Sequence, residues 1–415
     1  MNPPKSLWIT PKWPFPCRDG ARMATVNLVK NLTRLGAQLD LMAIVPTDED
    51  IDPSEATRLL GIRDTFLVRR SADESRVKKL LRWGGSFIRD PQLPLTLSTY
   101  ASAAVQSQFQ EILSTQEWDT VIYDGLHTAA TSYTVGNYQR PPQFRRVIYR
   151  AHNFETELWD RGAQMTSKGQ QIKKLLLQHQ GRQVGRFEAA LAQASDWVAT
   201  VSERDATQLK RVAPKTKVSS IPIGIDLEGD STEMQATADR PLVLLFVGRL
   251  DWHPNSHGLQ WFLEKVWPVV TKSRIGLQLW VVGSGQTPQL DALLRQSGVR
   301  FFGRVDDLRP LYDACSATLV PLFYGSGTRV KVIESCRYGR GCISTQTGVE
   351  GLALTANQDY LLCETPQDWI LTLNQLSIEN CQKLSQRARD YVDQHHSGEK
   401  LAQLFLSHWR DTLHP

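Results

Sequence analysis

The residues best suited to chemistry lie in one segment, Tyr324-Gly-Ser-Gly-Thr-Arg-Val-Lys-Val-Ile-Glu334-Ser, followed by Gly339-Arg-Gly341. It follows an apolar strand pattern, Thr318-Leu-Val-Pro321. Gly325, Ser326, Gly327 and Thr328 can bring backbone N–H groups close to a ligand. A helix starting near Thr328 aims its positive end at an anion. Arg329 and Lys331 then put two cations in a first turn where the helix dipole disfavours them. A bound phosphate or diphosphate removes that misfit. Glu334 follows a turn and a half later, and a carboxylate can accept two hydroxyls of a ribose. The competing reading is a glycine loop with solvated cations. Loop, cations and carboxylate coinciding after one strand weigh against it.

Other strand ends carry weaker signals. Gly248-Arg249 ends a buried strand, where a guanidinium can meet a phosphate. Val281-Val-Gly283-Ser-Gly285 reads first as a tight strand-to-helix turn, with Gly283 also a donor-side candidate. Pro14-Phe-Pro16, Asp19 and Gly20 precede the first helix. Gly20 there opens the backbone to a phosphate or acceptor, or simply makes a turn. His152, with Asn153 and Glu155, follows the strand ending at Tyr149, a place where a histidine faces a cleft. Asp124 and His127, after Thr120–Tyr123, are acceptor-side candidates with Asp19 and Asn153.

These positions need strands to hold them. The first half alternates strand patterns (Leu7–Thr10, Leu39–Val45, Phe66–Val68, Thr120–Tyr123, Val147–Tyr149, Trp197–Val201, Val218–Ile221) with helical ones. The strands are Val-, Ile- and Leu-rich and lack strict alternation, as strands buried on both faces do. Val26, Val29, Leu32 and Leu35 predict a helix over Ala21–Leu35, stopped by Gly36. Ser202 with Asp205 marks another helix start. After a polar stretch at Glu228–Arg240, read as a linker, a second strand series begins at Val243–Val247. It continues through Leu279–Val282, Val299–Phe302, Thr318–Leu322, Cys342–Ser344 and Tyr360–Cys363. Two such series predict an α/β chain with two doubly wound domains, 1–230 and 231–395. A last helix, within 396–415, packs back toward the first. Ligands bind beyond the strands' C-terminal ends, so the default site is a cleft between the domains.

Composition agrees with a chain of this kind. Of 415 residues, 41 % are hydrophobic and 22 % charged, which excludes disorder and a coiled coil. Apolar runs fall far short of the ~20 residues of a membrane span, and no signal peptide is visible, so the expected location is cytoplasmic. The six cysteines form no C-x-x-C pair and read as buried thiols in a reducing compartment. The net charge of +5 is local: 69–89 carries +5 and 161–186 carries +6. Both stretches mix cations with large apolar residues. In the second, Met165, Ile172, Leu176, Val184, Phe187 and Leu191 have near-helical spacing. Such helices, in 69–89 and in 161–186, pack on the sheet with their cations outward, or lie on the inner face of an anionic membrane. No nucleic-acid module is recognisable. Asp48, Asp50 and Asp52 have D-x-D spacing, but a solvated loop explains them better than a metal site.

Taken in order, the motifs resemble the retaining, nucleotide-sugar-dependent glycosyltransferases of the GT-B fold, family 4 type. The resemblance rests on the Pro-rich loop ending at Gly20, His152, and Ile223-Gly-Ile-Asp226. It continues through Val247-Gly-Arg-Leu250, Val282-Gly-Ser-Gly285, Phe302-Gly-Arg304-Val305, and Gly325 to Glu334 with Gly339 and Gly341. It implies that Gly20 adjoins the donor phosphates and His152 faces the donor sugar. Arg249 and a second cation stabilise the leaving diphosphate, Glu334 holds the ribose, and backbone near Arg304 and Val305 meets the base. It further implies transfer of a sugar from a UDP, GDP or dTDP donor to a glycan, lipid-linked or small-molecule acceptor, with retention, and with neither metal nor other cofactor. Polysaccharide biosynthesis is the expected setting. Two positions depart from the family pattern. Ser326 stands where its motif has a first Glu, and His257 where it has Lys. Arg329 or Lys331 is then the substitute cation, and loop amides replace the first Glu. The alternatives are a sugar-nucleotide epimerase on the same scaffold and a non-catalytic sugar-nucleotide binder.

Overall fold

A computed structural model describes residues 4–17, 19–71, 90–134, 136–164, 166, 170–226, 241–325 and 328–412. The linker expected at 228–240 and most of the basic stretch 69–89 lie outside them. The chain forms two compact units, Met1–Ile223 with Gly398–Pro415, and Gly224–Ser397.

In the first unit the apolar runs form a parallel sheet. Its strands are β1 (Ser6–Thr10), β2 (Leu39–Pro46), β3 (Thr65–Arg70), β4 (Thr120–Asp124), β7 (Arg146–Ala151), β8 (Trp197–Thr200) and β9 (Lys217–Ser220). A short antiparallel pair, β5 (Tyr133–Thr134) and β6 (Asn137–Tyr138), lies apart from it. The sheet order is β3-β2-β1-β4-β7-β8-β9. β1, β2 and β4 are buried nearly end to end, because helices cover both faces. Helix α1 (Gly20–Arg34) matches its expected span. The Asp19 carboxylate caps it by accepting from Arg22 N, and Gly36 (φ 89°) takes the left-handed turn that ends it. Helices α2 (Pro53–Leu60), α3 (Ala103–Leu113), α4 (Glu155–Gln164), α5 (Gln171–Ala194) and α6 (Glu203–Val212) follow. Asp52, in the D-x-D spacing, caps α2 by accepting from Ser54 N at 3.0 Å.

The stripe in 161–186 divides. Val184, Phe187 and Leu191 of α5 are buried, whereas Ile172, Leu175 and Leu176 in its first turns are 60–77 % exposed. Met165 lies outside the described residues.

The second unit repeats the plan. Its strands are β10 (Val243–Val247), β11 (Gln278–Val282), β12 (Val299–Gly303), β13 (Ala317–Val320), β14 (Cys342–Ser344) and β15 (Leu361–Leu362), in the parallel order β12-β11-β10-β13-β14-β15. Its helices are α7 (His253–Lys265), α8 (Trp267–Ser273), α9 (Pro288–Leu293), α10 (Arg309–Ala314), α11 (Val330–Arg337), α12 (Pro366–Gln375) and α13 (Ile378–His395). The last helix, α14 (Gly398–Asp411), belongs to the first unit. Phe405 packs 4.7 Å from Trp197 and 6.0 Å from Trp8, ring centre to ring centre, and Asp411 pairs with Lys217 at 2.7 Å.

Both sheets reverse direction once. In the first unit the reversal lies between β1 and β4, in the second between β10 and β13. Loops leaving such strands in opposite directions open a crevice at their C-terminal ends. Asp19 and Gly20 follow β1 in this way, and Asp124 ends β4. Arg249 and the glycine segment follow β10 and β13.

Candidate active site

At the first reversal point Asp124 is fully buried and heavily bonded. Trp8 Nε1 donates to its Oδ2 at 3.1 Å and Thr25 Oγ1 at 2.5 Å. Its Oδ1 meets Arg150 at 2.7 Å and His152 Nε2 at 2.6 Å. Burial alone would raise this carboxyl. The charges of Arg150 and His152, with the His152 and Thr25 hydrogen bonds, outweigh burial and hold it well below the usual carboxylate range. An ionised carboxylate only accepts, so the 2.6 Å contact places a proton on His152 Nε2 and leaves Nδ1 available as the second ring nitrogen. The 3.2 Å approach of Arg150 to that same nitrogen is then a packing contact. His152 and Asp124, read separately from the sequence, form one pair. Their partners Trp8, Thr25 and Arg150 gave no readable signal, because the contacts span as many as 116 positions.

The other candidates of this unit sit nearby in the fold. Asp19 accepts from Lys12 at 2.7 Å and from Arg22 at 2.5 Å. It therefore occupies the cap of α1 behind which Gly20 begins the helix. Asn153 hydrogen-bonds the Glu155 carboxyl. His127 packs against Tyr100 with ring centres 5.3 Å apart. Burial pushes the His127 imidazole down to about 4.

At the second reversal point close backbone approaches come first. A Cβ on Gly258 would lie 1.8 Å from the Pro321 carbonyl oxygen, so α7 packs directly on the chain leaving β13. A Cβ on Gly283 would lie 2.0 Å from the Gly248 carbonyl oxygen, and its φ of +154° favours glycine. Gly283 thus serves the packing of two strand ends. Lys331 comes from α11 to this place. Its Nζ donates to Asn255 Oδ1 at 2.5 Å, while Asn255 Nδ2 donates to the Arg249 carbonyl at 2.9 Å. Burial, reinforced by the Arg329 charge, brings the Lys331 ammonium down to about 7. Glu334, on the same helix, is buried and accepts from the Tyr312 hydroxyl at 3.2 Å. Burial pushes its carboxyl up to about 7, and that hydrogen bond offsets only part of the rise. The Thr328 hydroxyl is buried with no protein partner among the described residues.

Three expectations change here. α11 starts at Val330, not near Thr328, so Arg329 is the residue before the helix. Arg329 is also not a free cation. It is buried, and its guanidinium donates to the carbonyls of Thr347 (3.0 Å) and Gly325 (3.3 Å) and meets Glu350 at 3.4 Å. It holds the glycine loop against the 347–350 turn, because a buried guanidinium must spend its donors. Arg249 is 67 % exposed and lies bidentate on Asp251, at 3.0 and 2.6 Å. Arg304 is exposed, 4.0 Å from Asp306, and Val305 packs on the small core of β10 and β11. Ser326 and Gly327 lie outside the described residues. His257, where the family has Lys, packs tilted against Tyr324 with ring centres 5.3 Å apart.

A family model described as "Glycosyl transferases group 1" matches residues 241–377. The matched segment is similar to group 1 glycosyl transferases over those residues. That segment contains Arg249, Lys331 and Glu334. The whole chain shares its fold with solved GT-B glycosyltransferases. HepE of Anabaena, solved with UDP and glucose, is 13 % identical with a TM-score of 0.62, covering 98 % of this chain and 100 % of that one. TarM of S. aureus, solved with UDP, is 9 % identical with a TM-score of 0.68, covering 99 % and 100 %. WaaG, described as a glycosyltransferase of lipopolysaccharide biosynthesis, is 13 % identical with a TM-score of 0.62, covering 96 % and 99 %. An uncharacterised protein of a Klebsiella pneumoniae cps region is 27 % identical over 116 residues, 26 % of this chain and 30 % of that protein's length.

Proposed function

We propose that the protein transfers a sugar from a nucleotide-diphosphate donor to a hydroxyl acceptor, with retention at the anomeric carbon and without a metal or other cofactor. One observation carries the reading. Beyond β10 and β13, a desolvated ammonium and a desolvated carboxyl lie on one helix, each short of partners. Lys331 suits a diphosphate, and Glu334 suits two hydroxyls of a ribose. Gly325 to Thr328 are assigned as loop N–H donors, with the Thr328 hydroxyl, which has no partner among the described residues. Arg304 and Val305 are assigned to the base, and Gly20 to the donor phosphates.

In the reaction the bond from the anomeric carbon to phosphate oxygen breaks, and its electron pair goes to the diphosphate. The acceptor hydroxyl oxygen bonds to that carbon, and its proton leaves with the diphosphate. Negative charge grows on the leaving group, so a cation fixed beforehand lowers the barrier most. Lys331 is fixed. Arg249 joins it by leaving Asp251, an exchange that costs at most about 1 kcal/mol for an exposed pair. His152, oriented by Asp124, is assigned to the sugar being transferred. The setting is assembly of a surface polysaccharide, as the cps-region relative suggests. Peripheral contact with an anionic membrane through 69–89 and 161–186 is part of the same reading. Among the described residues no helix is long and apolar enough to cross a membrane.

A thermal-shift screen with UDP, GDP, dTDP and their sugars tests the donor. One nucleotide should raise Tm by several degrees at 100 times its Kd. Transfer measured with that donor should survive EDTA, and NMR of the product should show the donor's anomeric configuration. Isomerised donor without transfer would instead identify an epimerase, and binding without turnover a binder.

A further inference from the structure

A cavity of about 360 Å³ opens in the first unit, and its wall takes residues from the segments that follow Asp124 and His152. Leu126 and His127 of its wall follow Asp124 by two and three residues, and Glu155 follows His152 by three. The rest is mostly aliphatic or aromatic: Leu97, Leu158 and Trp159 among others, with Leu177 from α5. We propose that this cavity binds an aliphatic chain, the apolar part of a lipid-linked acceptor whose hydroxyl is presented at His152. The inference rests on reading the first unit as the acceptor side.

Three observations support that occupant. The two titratable groups of the wall are both held neutral near pH 7. Burial pushes His127 down to about 4, and burial with the neighbouring Glu188 charge pushes Glu155 up to about 8. A cavity so lined repels ions and accepts hydrocarbon. The turn of α5 before Leu177 also exposes Ile172, Leu175 and Leu176, an apolar surface on the same helix. Lys173 and Lys174, exposed in that same turn, would suit an anionic headgroup on such a chain.

Gly162 gives the test. It lines the cavity from α4, and a Cβ there meets nothing within 4 Å, so a larger side chain enters open space. Octan-1-ol, decan-1-ol and farnesol are titrated calorimetrically into the full chain. One-to-one binding is expected, tightening about fourfold per added methylene, with a negative heat-capacity change. Gly162→Trp should weaken it at least tenfold and Gly162→Ala should leave it unchanged. Leu177→Asp, at a half-exposed position, provides a second way to spoil the wall. Tighter binding of decanol than of farnesol points to an acyl chain, and the reverse to an isoprenoid. No saturable binding to the wild type, or equal binding to Gly162→Trp and Leu177→Asp, overturns the pocket. The nucleotide thermal shift is read on the same samples. Nucleotide stabilisation without alcohol binding removes the pocket alone. Alcohol binding without nucleotide stabilisation removes the transferase reading alone.

Discussion

The two reversal points treat their buried charges in opposite ways. In the first unit Asp124 has four side-chain partners and is held ionised. In the second, Lys331 has one side-chain hydrogen bond and Glu334 another, and both are pushed toward neutrality. A saturated carboxylate is a finished structure that orients something else, here the His152 ring. Unsaturated charges are a debt of desolvation that a ligand settles. The difference contrasts a saturated, rigid group on one unit with the unsaturated pair proposed as the donor site on the other.

The comparison can be broken first at Asp124. Asp124→Ala leaves Arg150 buried without its partner, and such a loss costs about 3–5 kcal/mol. Chemical denaturation should show that drop. A loss under 1 kcal/mol would mean the cluster is not the saturated one described.

Lys331→Ala should do the reverse. The fold gains by losing a desolvated ammonium, so stability should hold or rise, while turnover falls on the order of 100–1000-fold. Near-normal turnover would remove Lys331 from the diphosphate site.

Proton linkage sharpens the contrast. Between about 7 and its ordinary 10.5, Lys331 is protonated in the unfolded chain and not in the folded one, so its contribution to stability rises with pH there. Glu334 keeps its proton in the folded chain between 4.5 and about 7, so its contribution falls as pH rises through that window. A diphosphate favours charged Lys331, and hydroxyl donors favour ionised Glu334. Binding of the nucleotide-diphosphate sugar should therefore take up protons at pH 8 and release them at pH 6. Calorimetry in buffers of different ionisation enthalpy reads this directly. Proton-neutral binding at both values would count against the pair.

The smallest effect concerns Asp251. Asp251→Asn removes the carboxylate bound by the exposed Arg249 and should change stability by less than about 1 kcal/mol. Nucleotide-diphosphate affinity should rise a few-fold. A weaker affinity would mean that Asp251 positions Arg249 instead of competing for it.

Much of the fold was legible because apolar runs and caps are local. The strands lie within about two residues of their expected places, and α1 within one. Glu334 and Lys331 could be singled out as candidates because loop, cations and carboxylate are adjacent in the chain. Arg329 was misread for the same reason. Its type and position suit an anion, but its burial against the Thr347 carbonyl comes from a turn 18 residues away. Asn255, which links Lys331 to the Arg249 carbonyl, carried no signal of its own in the segment that contains it.

By itself the sequence determined two strand–helix series, the helix caps, and a phosphate-suited segment after one strand, all of them set by neighbours within a few turns. Only the tertiary structure decided which charges are satisfied. Whether a carboxylate is saturated like Asp124 or left wanting like Glu334 depends on burial and on partners far along the chain. Desolvation, which turns a charge into a site, exists only once the chain has packed around it.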